Sequence, residues 1–297
     1  MRIILYSQKI TSENSNYIQL CINELLKYKN RLFVLESLYN DSKKKINFPN
    51  KIHIIKQISK VHKIDFLICF GGDGTMLKAA HLVGKLNIPI TGINTGRLGF
   101  LANIPKQNIT DLINSIYEKK FHISPRSLIK VFTKPKLKKN IFQFALNEVS
   151  ISEKNHLSMI SINTYINNEF LNTYWGDGLI VSTPTGSTAH SLSCGGPIVM
   201  PDSNNFIITP ISSHNLNVRP LVFSDDHIIQ VHLDQRFKSF NLSIDGQTKK
   251  ITNKHIIFIQ KERFKINFLI TEKNNYFDTL RNKLLWGLDK RNNEQDL

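Results

Sequence analysis

Two rhythms of apolar and polar positions divide the chain. In the first third, short β-type runs alternate with longer helical patterns. Ile3 to Tyr6 and Arg31 to Leu35 read as strands. Between them, Ser15 to Lys29 carries Ile18, Cys21, Ile22, Leu25 and Leu26 at helical spacing. Asp65 to Phe70 is a near-continuous apolar run, as a strand buried on both faces requires. Thr75 to Val83 then reads as a helix and Ile88 to Ile93 as the next strand. This alternation predicts an α/β domain, a parallel sheet with helices, over residues 1–125.

From about residue 126 the rhythm changes. Short β-type runs follow one another: Leu128 to Phe132, Ile141 to Ile151, Met159 to Tyr165, Leu179 to Ser182, Ile228 to Leu233, Phe240 to Ile244 and His255 to Ile259. Ser187 to Leu192 is the one helical stretch expected among them. A mostly-β domain is therefore expected over 126–275. In the tail, Phe277, Leu280, Leu284 and Leu285 recur at helical spacing within Tyr276 to Leu288. The segment 276–297 is expected to pack back on the first domain.

Composition narrows the class. The 297 residues suit about two domains, and 41% apolar residues suffice for a sizeable core. No run approaches the ~18 consecutive apolar residues of a membrane span. Met1 to Tyr6 is apolar over too short a stretch for a signal peptide, so a cytoplasmic protein without a membrane partner is expected. Cys21, Cys69 and Cys194 are widely spaced and odd in number, which argues against a disulfide framework or a zinc site. The net charge of +16 attracts polyanions. Lys, Asn and Ile are enriched along the whole chain, however, and stretches such as Ser42-Lys43-Lys44-Lys45 read as solvated loops. No nucleic-acid partner is expected.

Five features carry candidate chemistry. Gly71-Gly72-Asp73-Gly74-Thr75 follows an apolar strand and opens a helix. Glycines there let backbone N–H groups approach phosphates, and the helix N-terminus adds partial positive charge. A carboxylate beside phosphate repels it unless it holds a metal or takes a proton; Asp73 as a plain N-cap is the bland alternative. Gly92-Ile93-Asn94-Thr95-Gly96-Arg97-Leu98-Gly99-Phe100 follows the next strand and should lie at the same sheet edge, as ligand loop or structural loop. Asn147-Glu148 places a costly carboxylate in an apolar strand; it is either a ribose-binding pair or a strand-end polar pair.

The fourth feature runs from Gly176 to Pro197. Strand Leu179 to Ser182 leads into the hydroxyl-rich Thr183-Pro184-Thr185-Gly186-Ser187-Thr188, suited to a dinucleotide or to capping a helix near Ser187. Trp175 and Asp177 share one face of an extended segment, offering a ring and a carboxylate, unless Asp177-Gly178 is a hairpin turn. The fifth, Asp245-Gly246-Gln247, is a hairpin signal from which Gln247 can reach a ligand.

Taken together, these stretches resemble the NAD kinase family. The matches are Gly71 to Thr75, Gly92-Ile93-Asn94 with Gly96 and Leu98 to Leu101, Asn147-Glu148, and Asp177-Gly178 through Thr183 to Ala189. Gly195-Gly196-Pro197, His214-Asn215-Leu216 with Arg219-Pro220, and Tyr276-Phe277 follow. The glycine loop alone is shared with lipid kinases and phosphofructokinases; the ordered set is far more specific. The resemblance implies a sandwich-like second domain, homo-oligomers, and phosphorylation of the adenosine-side 2′-hydroxyl of NAD by ATP. It implies Asp73 as catalytic base, with Gly71, Gly72, Gly74 and Thr75 meeting the donor phosphates and a divalent metal, usually Mg²⁺, whose ligands it leaves open. It also implies that Asp73, Gly74, Asn147, Glu148, Asp177, Thr188, Ala189, His190, Ser191, Leu192, Ser193 and Gln247 bind NAD; the ring of Trp175 joins them from the reading of its extended segment. Three departures stand out. His190 replaces the family's usual Tyr, Trp175-Gly176 replaces common Arg or Ser, and Gln247 matches only some members.

Overall fold

The computed structural model describes all residues except 97, 138–143, 154–158, 274 and 286–297. Arg97, the start of the expected Ile141–Ile151 strand and the end of the expected Tyr276–Leu288 helix lie outside the described residues. The chain forms two units: residues 1–124 with 267 onward, and residues 125–266.

The first unit runs β1 (Arg2–Ser7), α1 (Ser12–Leu26), β2 (Arg31–Leu35), α2 (Glu36–Ser42), β3 (His53–Ile55), β4 (Phe66–Phe70), α3 (Asp73–Val83), β5 (Ile90–Asn94), β6 (Ile104–Pro105), α4 (Ile109–Tyr117) and β7 (Phe121–Arg126). Its sheet has the order β3-β2-β1-β4-β5, and is then joined by a strand from the far end of the chain, Ile266–Thr271, and by β7. The pairs from β3 through β5 are parallel. Parallel strands covered on both faces are apolar throughout, as β1 and β4 show: Ile3, Ile4, Leu5, Leu67, Ile68, Cys69 and Phe70 are fully buried. Helix α1 starts at a capping box, in which Thr11 Oγ1 accepts the Asn14 N–H and Asn14 Oδ1 accepts the Thr11 N–H. It buries Ile18, Cys21, Ile22 and Leu25.

The second unit runs β8 (Ile129–Lys134), β9 (Phe144–Ala145), β10 (Glu148–Glu153), β11 (Ile160–Ile166), β12 (Glu169–Gly176), β13 (Gly178–Ser182), α5 (His190–Ser193), β14 (Asn205–Ile211), β15 (Leu221–Ser224), β16 (Ile229–Leu233), β17 (Phe240–Ile244), β18 (Gln247–Ile251) and β19 (Ile256–Lys261). The strands form two six-stranded sheets, β15-β14-β13-β10-β17-β18 and β12-β11-β16-β19-β8-β9. Inward residues of both sheets, among them Val131, Val149, Ile162, Val181, Phe206, Val231, Phe240 and Ile257, share one buried core. That is a sandwich.

The chain changes sheets at a single residue. Gly176 pairs with Ile160 in one sheet and Gly178 with Ser152 in the other, with Asp177 as the bend between. The expected hairpin alternative at Asp177-Gly178 is therefore replaced by a corner. Both flanking glycines are needed for close approach: a Cβ on Gly176 would lie 2.6 Å from the Ile211 carbonyl oxygen, and one on Gly178 2.2 Å from that of Ile151.

The helix expected at Ser187–Leu192 is also revised. A 3-10 turn over Thr185–Thr188 precedes the single turn of α5, and neither has a side-chain cap. The hydroxyls serve the neighbouring backbone instead. Thr183 Oγ1 donates to the Leu146 carbonyl (2.5 Å) and accepts the Gly186 N–H (3.1 Å). Ser187 Oγ accepts the Val199 N–H at 3.1 Å.

After β19 the chain returns to the first unit as β20 (Ile266–Thr271) and α6 (Tyr276–Leu284). The first sheet thus reclaims the chain at Asn267, ahead of the sequence boundary at 275. In α6, Thr279 and Leu280 are buried.

Candidate functional site

In the first unit, β2 and β3 extend the sheet to one side of β1, and β4 begins the other side. The carboxyl ends of β1 and β4 therefore flank a topological switch point, where ligands of open α/β sheets bind. Ser7 and Phe70 are register partners there, and Ser7 Oγ donates to the Phe70 carbonyl at 2.9 Å. The loop Gly71 to Thr75 leaves β4 at this edge. Gly71 has φ +152°, and a Cβ on it would lie 2.3 Å from Thr75 Oγ1, so a side chain does not fit. Gly72 and Gly74 are exposed and have open space where a side chain would stand.

Gly72 is the N-cap of α3, and Asp73 opens its first turn. The Asp73 carboxylate caps nothing in its own helix. It reaches the second glycine-rich loop: Oδ2 accepts the Phe100 N–H at 2.9 Å, and Oδ1 accepts those of Leu101 and Ala102 at 3.0 Å each. An ionised carboxylate has about four lone-pair positions, so three amides leave room for about one further donor. Gly99 makes this latch possible, because a Cβ there would lie 1.9 Å from Asp73 Oδ1. Asn94 braces the same loop, taking the Gly96 N–H at 2.8 Å and donating to the Ala102 carbonyl at 3.1 Å. Lys283 of α6 donates to the Leu98 carbonyl, and its amine lies 6.0 Å from the Phe100 ring centre. The two glycine loops thus share one edge, as the sequence suggests.

In the second unit, Asn147 ends the break between β9 and β10, and Glu148 opens β10. The Thr183 N–H donates to the Asn147 carbonyl at 2.9 Å. Gly186 lies so close that a Cβ would be 2.1 Å from that carbonyl oxygen. On the other side Asp245 Oδ2 accepts the Leu146 N–H at 2.7 Å, and Oδ1 accepts those of Asn147 and Glu148 at 2.9 and 3.2 Å. The third, fourth and fifth sequence features therefore meet in one strip.

The strip is under-satisfied. Asn147 Oδ1, Glu148 Oε2, Ser182 Oγ and Thr185 Oγ1 are buried without a hydrogen-bond partner among the described residues. Such groups cost free energy unless a ligand or water supplies the missing bond. Burial pushes the Glu148 carboxyl up to about 8; the Asp245 carboxylate pushes the same way, and the His190 N–H opposes them. At neutral pH Glu148 is then mostly protonated, able to donate through one oxygen and accept through the other.

The remaining expected residues are placed as follows. Trp175, on β12, is 53% exposed. Asp177 is half-buried at the sheet corner, its N–H on the Ile211 carbonyl at 2.9 Å. Thr188 Oγ1 donates to the Thr185 carbonyl at 3.4 Å and the Ala189 N–H to that of Gly186 at 2.9 Å. His190 and Ser193 are exposed and Leu192 half-buried. Ser191 is fully buried, its hydroxyl 2.8 Å from Thr209 Oγ1. Gln247 is exposed and opens β18 opposite Ile244.

Sequence reasoning missed the anchoring parts of Asp245, Gly99 and Gly186, and it missed Lys283. An aspartate at a tight turn was the one available signal, and it read as turn chemistry. Among the described residues no group of three or more His, Cys, Asp or Glu side chains could hold a metal ion. No helix of the described residues is long and apolar enough to cross a membrane.

Both halves of the chain match known proteins. Residues 12–121 match the ATP-NAD kinase N-terminal domain, and residues 146–270 the ATP-NAD kinase C-terminal domain. NAD kinase of Christiangramia forsetii is 43% identical over 98% of this chain and 100% of its own. That of Cytophaga hutchinsonii is 40% identical, again over 98% and 100%. Among solved structures, yeast NADH kinase complexed with NADH matches with a TM-score of 0.85 at 23% identity, over 97% of this chain and 89% of that one. At that identity the likeness speaks for the fold. An NAD kinase from Archaeoglobus fulgidus in complex with ATP matches with a TM-score of 0.72 at 25% identity, over 95% and 99%. With both halves of the chain matched and close relatives covered end to end, the protein belongs to the NAD kinase family.

Proposed function

We propose that the protein is an ATP-dependent NAD kinase, which transfers the γ-phosphoryl group of ATP to the 2′-hydroxyl of the adenosine ribose of NAD. The observation that carries this reading is Asp73, fixed by three backbone amides at the switch point of a parallel sheet within a glycine-rich turn. Relatives that match this chain end to end are named NAD kinase, and the archaeal neighbour was crystallised with ATP.

Asp73 accepts the proton of the ribose hydroxyl through its remaining lone-pair position. Its orientation is set beforehand by the amides of Phe100, Leu101 and Ala102. The exposed backbone at Gly72 and Gly74, with Gly71 and Thr75 shaping the turn, receives the donor phosphates at the start of α3. In the second unit, Asn147 and Glu148 bind the hydroxyls of NAD with their unpartnered oxygens. Trp175, Asp177, the backbone from Thr188 to Ser193 and Gln247 complete the dinucleotide contacts, and the exposed His190 imidazole stacks on a base. A divalent cation such as Mg²⁺, when bound, neutralises phosphate charge. Asp73 is the one carboxylate of the glycine loop that would hold such a cation. The protein acts as a homo-oligomer in the cytoplasm.

The test is a coupled assay with ATP, Mg²⁺ and NAD, read by an NADP-specific dehydrogenase. Wild type forms NADP, and Asp73→Asn turns over at least about 10²-fold more slowly. A folded variant with near-normal turnover would remove Asp73 from the chemistry.

A further inference from the structure

The turn between β17 and β18 asks less of residue 245 than the residue provides. Asp245 has φ +45° and Gly246 φ +79°, the left-handed pair of a two-residue hairpin. Asn or Gly before Gly serves that geometry as well as Asp. Yet the Asp245 carboxylate collects three consecutive amides, those of Leu146, Asn147 and Glu148. The Asp245 N–H also returns a bond to the Glu148 carbonyl at 3.1 Å. These four bonds fix the peptide planes from which the Asn147 and Glu148 side chains depart. Those side chains carry Asn147 Oδ1 and Glu148 Oε2, two buried oxygens that lack a partner. Across the strip, the Thr183 N–H donates to the Asn147 carbonyl, and Gly186 leaves the room that this carbonyl needs. The pair is clamped from both sides, and on one side by a charged acceptor.

We propose that Asp245 is a positioning residue for the acceptor dinucleotide, holding Asn147 and Glu148 so that their free oxygens meet the hydroxyls of NAD. The inference rests on the NAD kinase reading and concerns the second unit alone. It separates binding of NAD from binding of ATP, because none of the residues that Asp245 orders belongs to the glycine loop of the first unit.

Asp245→Asn tests it. Asparagine keeps the turn and the size of the side chain but sets an NH₂ against backbone N–H donors. Asp245→Gly keeps the turn and removes the acceptor altogether. KM values for NAD and ATP, and the Kd for NAD by calorimetry, are measured on wild type and both variants after melting curves show cooperative folding. The expected result is a rise of about tenfold or more in KM and Kd for NAD, with the KM for ATP within about twofold. NAD values within twofold of wild type overturn the inference, as does an equal rise for both substrates. Failure of both variants to fold makes Asp245 a structural residue and overturns it too. A wild-type protein that neither binds NAD nor forms NADP overturns the NAD kinase reading itself, and this inference with it.

Discussion

Two carboxyl groups, one in each unit, are supplied with hydrogen-bond donors in opposite ways. Asp73 is held by three amide donors and has space for about one more. This places a cost in stability on the Asp73→Asn variant. An NH₂ must face at least one backbone N–H, at a cost of about 1–3 kcal/mol of stability besides the loss of turnover. Glu148 is instead short of donors, and burial beside Asp245 raises it from its ordinary 4.5 to about 8. Between those values the folded protein keeps a proton that the unfolded chain has released. The stabilising contribution of this group is thus full below pH 4.5 and is lost as the pH rises through about 8. Glu148→Gln removes the titration. From pH 5 to pH 9 the melting temperature of wild type should fall relative to that of the variant by about 2 °C or more. Parallel curves would show that Glu148 is ionised in the folded protein.

At the scale of elements, the latch between Asp73 and the segment Gly99 to Ala102 depends on a missing side chain. Gly99 leaves the space that Asp73 Oδ1 occupies, and a Cβ there would overlap it at 1.9 Å. Gly99→Ala should therefore displace the Asp73 carboxylate and lower kcat by about 10²-fold without replacing any residue that touches substrate. The same variant should melt cooperatively; an unchanged kcat would mean that the latch has no part in catalysis.

How far the elements were legible follows from what each buries. Strand β4 and the strand Arg31–Leu35 stood out because buried parallel strands are apolar without interruption. Strand β18, Gln-Thr-Lys-Lys-Ile, did not, because it is an edge strand whose lysines belong to solvent. Helices α2 and α4 and the strands β7, β12, β14, β15 and β20 were likewise not anticipated. In α4, Ile109, Leu112, Ile113 and Ile116 form a helical stripe on a segment too short to stand out. In β14 an apolar run is interrupted by Pro210. The site divides in the same way. Glycine loops and the Asn147-Glu148 pair are visible as residue types. The partners of Asp73 and Asp245 are backbone amides of distant segments, and an amide has no sequence signature.

For the whole molecule, the charge of +16 and the fold bear on different questions. Charge sets how strongly polyanions are drawn to the surface, and that attraction is screened within about 8 Å at physiological salt. Specificity belongs to the sites, which each unit builds from its own elements. The first unit supplies a glycine-rich edge with a fixed carboxylate, and the second a strip with unpaired oxygens. Glycine loops of the first kind serve other kinases, so the choice of acceptor is the central claim. It is tested most directly by offering the protein radiolabelled ATP with NAD, diacylglycerol and fructose 6-phosphate together and locating the transferred phosphate. Label on the 2′-hydroxyl of the adenosine ribose of NAD is the predicted result. Label on the lipid or the sugar, or none on any acceptor with folded protein, would contradict it.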